Sequence, residues 1–168
     1  DFILKSMLVL SDSDVRFKIA NFGRNNIAKF ETNWNSIRES LVATFNLLAQ
    51  LGFNDSLLRA KNAAIPIAYY IHKNNLAKSI VKTTYDKTDK ENISKWLSMS
   101  LIKGMFGGQS DGMLKTLRDV IKDSTNNKFP LDEIINKFKG NVDKNYAFTD
   151  DIIDSLLEEE YGSAVCSL

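Results

Sequence analysis

The chain has 168 residues, 43% hydrophobic and 26% charged, which suits one folded domain and excludes a disordered or fibrous chain. A formal net charge of +1 excludes a global field that recruits nucleic acid, and the single cysteine, Cys166, excludes an internal disulfide framework. No apolar run reaches the roughly 20 residues of a membrane-spanning helix, so no membrane contact is expected.

One thiol and the lack of a signal peptide predict a cytoplasmic protein. Charge is spread unevenly. Residues 1–84 carry 11 Lys and Arg against 6 Asp and Glu, and residues 85–168 carry 11 against 15. A basic half suits an anionic partner; the plainer reading is a solvated surface with chance asymmetry. The chain opens at Asp1 on an apolar segment and closes on Ser163-Ala164-Val165-Cys166-Ser167-Leu168, so a fragment of a longer protein is expected.

In chain order, Phe2 to Leu10 reads as a short helix with Ile3, Met7 and Leu10 on one stripe. Ser11-Asp12-Ser13-Asp14 breaks it. Val15 to Ile19 alternates apolar and basic, the period of a strand, and a short strand or extended segment is expected through Ile19. Phe22 to Asn26 is a turn. Ile27, Phe30, Trp34, Ile37, Leu41, Phe45 and Leu48 then recur at three and four residues, which predicts a helix over 27–51 with Gly52 just past its end. A break near Glu31 or Thr32 is allowed for. Asp55-Ser56 is expected to cap a turn over 57–60.

The next segment is the one the chain is organised around. Ala63 to Ile71 has no charge and almost no polarity, and Pro66 is tolerated only in a first turn, where its missing N–H has no partner to lose. With Asn62 as a cap, this predicts a helix over 63–73 that is apolar all round. Such a helix is buried or in lipid, and it is too short to span a bilayer. It is therefore the expected centre of a helical core. Asn74-Asn75 marks its end; the type of the segment 77–84 stays open.

Asp89 or Thr88 is expected to cap the next helix, with Ile93, Trp96, Leu97, Leu101 and Ile102 facing in and Gly104 to Gly108 ending it. Ser110-Asp111 opens a helix carrying Met113, Leu114, Leu117, Val120 and Ile121. Leu131 to Phe138 is a short amphipathic helix. Thr149-Asp150-Asp151 caps a last helix over 152–161. The elements predict an all-α fold, an irregular bundle of seven or eight helices with at most one short strand pair. It forms a single domain over 1–168, with Trp34, Phe45, Trp96, Leu101 and Leu117 in the core.

Chemistry is sparse. His72 is the only histidine, and beside a buried helix it reads as a packing or capping residue before a general base. One His and one Cys cannot build a zinc or facial-triad site. Asp150, Asp151, Asp154, Glu158, Glu159 and Glu160 could hold Mg²⁺ but read first as a helix start and a wet face. Gly104-Met105-Phe106-Gly107-Gly108-Gln109-Ser110 precedes a helix start, yet it lacks the Gly-Lys-Ser/Thr ending of a phosphate loop. No catalytic residue, metal or cofactor is assigned. Arg16, Lys18, Arg24 and Lys29, interleaved with Phe17, Phe22 and Phe30, have the composition of a nucleic-acid surface and are the candidate DNA contacts.

Several segments in order resemble one family. They are Asp1 to Leu10, Val15 to Phe22, the Trp34 helix, Lys61 to Tyr70, Ile93-Ser94-Lys95-Trp96-Leu97, Lys103 to Gly108, and Phe129-Pro130. Together they resemble the middle region of GmrSD-type proteins, which are prokaryotic modification-dependent restriction systems used in defence. The resemblance implies an upstream ParB-like nucleotide-hydrolysing domain with an Asp-Gly-Gln-Gln-Arg-type signature, and in many members a downstream HNH nuclease domain. Neither signature occurs in this sequence, so no catalytic residue carries over. What the resemblance implies for this chain is a non-catalytic helical module. It would couple the nucleotide-binding domain to the domain downstream. The expected partners are those domains of the same chain, with DNA or a second copy as further candidates. The alternative is a nucleic-acid-binding module using the basic half.

Overall fold

A computed structural model describes residues 2–16, 24–58, 60–108 and 110–149. Among these the chain is helical and contains no strand. The six α-helices are α1 (Phe2–Leu10), α2 (Arg24–Gln50), α3 (Ala64–Lys73), α4 (Lys87–Ile102), α5 (Asp111–Asp123) and α6 (Leu131–Phe138). A single 3-10 turn, Lys61–Ala63, precedes α3. Among the described residues the count is thus six, against seven or eight expected over the whole chain, and the helix expected over 152–161 lies outside the described residues. Val15 and Arg16, the described part of the expected strand or extended segment, belong to no strand, and Phe17 to Ile19 lie outside the described residues.

The central helix is where the sequence puts it. Every residue from Ala64 to Ile71 is buried, and α3 packs against α1, α2 and α5. Ala64 and Ala68 present small faces that let neighbouring backbones approach. Ile65, Ile67 and Ile71 fill the gaps between them, all fully buried. Pro66 sits in the first turn, where no helical N–H bond is lost. The cap differs from the expectation. The 3-10 turn supplies the preceding carbonyls, Ala63 stands at the N-cap, and Asn62 Nδ2 instead donates to Ser110 Oγ at 3.1 Å. Beyond Lys73 the chain turns through Asn75, which holds φ +54°, a left-handed conformation that Asn tolerates better than most residues.

Helix α2 is continuous through Glu31 and Thr32, so the allowed break does not occur. Its buried face is not the one the large residues mark. At 100° per residue, Phe30, Ile37, Leu41 and Leu48 share one line. Ser40, Ala43, Thr44 and Leu47, also buried, lie about 40–140° to one side of it. Ile27, Trp34 and Phe45 lie about 40–60° to the other side. Those three are exposed at 43%, 40% and 38%, so Trp34 and Phe45 are not core residues. Ser40 on the small-residue side meets His72 of α3, and α2 packs against α3, while the large residues on the other side stay exposed.

The remaining core gathers around Trp96 and Phe129. Their rings lie 5.4 Å apart, and Tyr70 meets Phe129 edge-on at the same distance. Trp96 Nε1 donates to Tyr146 Oη at 3.0 Å, which draws the segment after α6 onto α4. Ile93, Trp96, Leu97 and Leu117 are fully buried, while Leu101 is only half-buried. The cap of α4 is Asp86, whose carboxylate accepts from Asp89 N, rather than Asp89 or Thr88. Likewise Asn54, not Asp55 or Ser56, caps the turn after α2, through Ser56 N and Leu57 N.

Candidate functional site

Two surface features and one buried polar centre stand out. The first feature is an apolar groove between α1 and the first turns of α2. Leu4, Met7, Ile27, Phe30 and Trp34 line it, with Glu31 the one charged residue among the described lining residues, around a volume of about 300 Å³. Phe2 and Phe45 continue the apolar face along the same two helices, with ring centroids 5.7 Å apart. Ile3 and Leu4 of α1 are also exposed. Contiguous apolar surface of this kind marks an interaction site more often than a solvated face.

The second feature lies on another flank of α2, where α3 ends. His72 Nδ1 stands 3.3 Å from both Ser36 Oγ and Ser40 Oγ. Ser40 Oγ donates to the Ser36 carbonyl at 2.8 Å, so its own proton is committed and its oxygen is left to accept. Burial lowers the His72 pKa below the ordinary 6.5, which keeps the imidazole neutral near pH 7. Ser36, Ser40, His72 and Asn75, with Glu39 and Lys78, line a polar cavity of about 260 Å³.

The buried centre is Asp89, 1% exposed. Its carboxylate accepts from Tyr70 Oη at 2.8 Å, Tyr85 Oη at 2.5 Å and the Phe129 backbone N–H at 2.6 Å. Desolvation and the adjacent carboxylate push both tyrosine pKa values well above their ordinary value. This cluster ties α3, the segment before α4, and the segment before α6 to one point. It opens onto neither the groove nor the polar cavity.

Of the candidate DNA contacts, Arg16 and Lys29 have described side chains. Arg16 is exposed and forks onto Asp14, with Nη2 at 3.0 Å and Nε at 3.1 Å from Oδ2. Lys29 is exposed on α2. Lys18 and the Arg24 side chain lie outside the described residues, although Arg24 begins α2. Other lysines serve the fold. Lys73 Nζ donates to the carbonyls of Ile121, Lys122 and Ser124 at the end of α5, at 2.7, 2.8 and 3.2 Å. Lys144 Nζ donates to Gly104 O and Gly107 O at 2.9 and 3.3 Å. The glycine loop therefore turns carbonyls toward a cation, the opposite polarity to a phosphate cradle.

The acidic run from Asp150 to Glu160 lies outside the described residues. Among the described residues no group of three or more His, Cys, Asp or Glu side chains could hold a metal ion, and no helix is long and apolar enough to cross a membrane. Sequence reasoning missed the groove, because its aromatic lining was read as core. It also missed the partners of His72. The spacing of Ser36 and Ser40, four residues apart on one helix, was the available signal. No protein-family model matches the chain, and no curated protein matches it either.

Proposed function

We propose that this chain is a non-catalytic helical module, an irregular bundle that works by docking. In a GmrSD-like cytoplasmic defence protein it would couple an upstream nucleotide-binding domain to the domain downstream. The observation that carries the docking role is the apolar groove of α1 and α2, with Ile27 and Trp34 exposed at 43% and 40%. Its occupant in this reading is an apolar element of an adjoining domain of the same parent chain. The resemblance in ordered segments supports the choice of parent. The commitment of Lys73 and Lys144 to carbonyls, and of Arg16 to Asp14, weighs against the rival nucleic-acid reading.

The test uses the two tryptophans, Trp34 and Trp96. Trp96 is fully buried and serves as the internal reference. In the isolated chain, acrylamide should quench the Trp34 emission and leave that of Trp96 nearly untouched. In a longer chain that includes the adjoining domains, the quenchable component should disappear, and Trp34→Glu should release the docked domain to proteolysis. Equal quenching of Trp34 in both chains would refute the docking role. Nucleotide hydrolysis or DNA cleavage by the isolated chain would refute the non-catalytic assignment.

A further inference from the structure

The polar cavity at His72 does not stand alone. A second cavity of about 220 Å³ adjoins it and shares Glu39, Ala77 and Lys78. Beyond those shared residues the second cavity is walled by Val42, Ala43 and Val81 together with Arg38 and Asn46. The two form one cleft between α2 and the segment 75–81, with a hydroxyl and imidazole end, a charged middle and an end where three aliphatic residues stand beside Arg38 and Asn46. Together they enclose at most about 480 Å³, the lower part of the range for small-molecule pockets, so the cleft suits a small ligand.

The walls are fixed without a ligand. Gln50 Nε2 donates to the Val81 carbonyl at 2.9 Å, and Ile80 is fully buried, so the 75–81 segment is held against α2. His72 is held by the two serine hydroxyls, and the Asn75 backbone N–H donates to the His72 carbonyl at 3.2 Å. The charges in the middle are not used by the fold. Among the described residues, no ion pair or hydrogen bond engages the Glu39 carboxylate, the Lys78 ammonium or the Asn75 carboxamide. Glu39 and Lys78 line the same space without pairing across it.

An unpaired anion and an unpaired cation on facing walls, with an apolar recess beside them, match one ligand chemistry. We propose that this cleft binds a small zwitterion bearing an apolar group, the chemistry of a free branched-chain amino acid. The ligand ammonium faces Glu39, and its carboxylate faces Lys78 and the Asn75 amide. The apolar group lies on Val42, Ala43 and Val81. The charged groups are exposed and screened, so the affinity is of order millimolar. The site is independent of the α1–α2 groove.

The experiment is a titration of the chain followed by amide NMR, with L-leucine as the probe. The comparison ligands are 4-methylpentanoate, which lacks the ammonium, and isopentylamine, which lacks the carboxylate. L-leucine should give saturable shifts at Asn75, Lys78 and Val81, and each comparison ligand should bind about two- to fivefold more weakly. Lys78→Met should weaken L-leucine without affecting isopentylamine. Glu39→Gln should weaken L-leucine without affecting 4-methylpentanoate. Both side chains are exposed, so neither variant threatens the fold, and the same spectra verify that. Absence of saturable shifts up to about 50 mM L-leucine, or equal binding by either half-charged ligand, overturns the proposal.

Discussion

Replacing Asp89 with alanine should be among the most damaging single changes in the chain. The carboxylate is 1% exposed and accepts three hydrogen bonds, from Tyr70 Oη, Tyr85 Oη and Phe129 N. Tyr85 is half-buried and can turn to water. Tyr70 and the Phe129 N–H are buried and lose their acceptor outright, at roughly 1–3 kcal/mol each. Relief from burying a charge offsets part of this. A net loss of about 3 kcal/mol is expected, which at this chain length lowers Tm by roughly 6–12 °C. Urea unfolding followed by circular dichroism measures the loss, and Tyr85→Phe, expected to lose about 1 kcal/mol, serves as the internal comparison. Asp89→Asn keeps the shape but points an amide N–H₂ at donors, so it should fall between the two. If Asp89→Ala unfolds within about 0.5 kcal/mol of the parent chain, the carboxylate's desolvation cancels its bonds and the reasoning fails.

Lys73→Met removes the donor from three carbonyls at the end of α5 and should lose about 1 kcal/mol in urea unfolding, whereas Lys95→Met, at an exposed site with no such bonds, should be nearly neutral. Tyr69, Tyr70 and Tyr146 are at most 3% exposed, and burial raises their pKa values above the ordinary 10.0. A raised folded value means stability holds below pH 10 and is lost above it, as the unfolded phenols ionise. Each such group contributes up to about 1.4 kcal/mol per pH unit, measurable as a falling Tm in an alkaline series. The His72 pKa is lowered by burial, so its contribution is present above pH 6.5 and is lost as pH falls below it. His72→Gln should flatten the loss of stability between pH 7 and pH 5; an unchanged slope would place the titrating group elsewhere.

Much of the helical pattern was legible because its signals are local. Amphipathic spacing, Gly52 after α2 and the Pro66 first turn depend on neighbours within a few residues. The caps were less legible. Asp86, Asp89 and Thr88 are all competent cap residues, and the choice fell to Asp86 once Asp89 turned inward to meet Tyr70 and the Phe129 N–H. Asn62 was drawn away from its own helix by Ser110, 48 residues distant. No local rule contains those partners.

The sequence by itself determined that the chain is helical and that Ala63–Ile71 lies at its centre, because nine residues without charge have no other stable place in water. Tertiary packing decided which face of α2 is buried. Hydrophobic periodicity counts large side chains, so it pointed Trp34 and Phe45 inward. The buried face also uses Ser40, Ala43 and Thr44, small or polar residues that such a count passes over. The groove and the cleft both lie on faces of α2 that this packing leaves open. One lies where the large residues were left uncovered, and the other where Ser36 and Glu39 were carried round to meet His72 and Lys78.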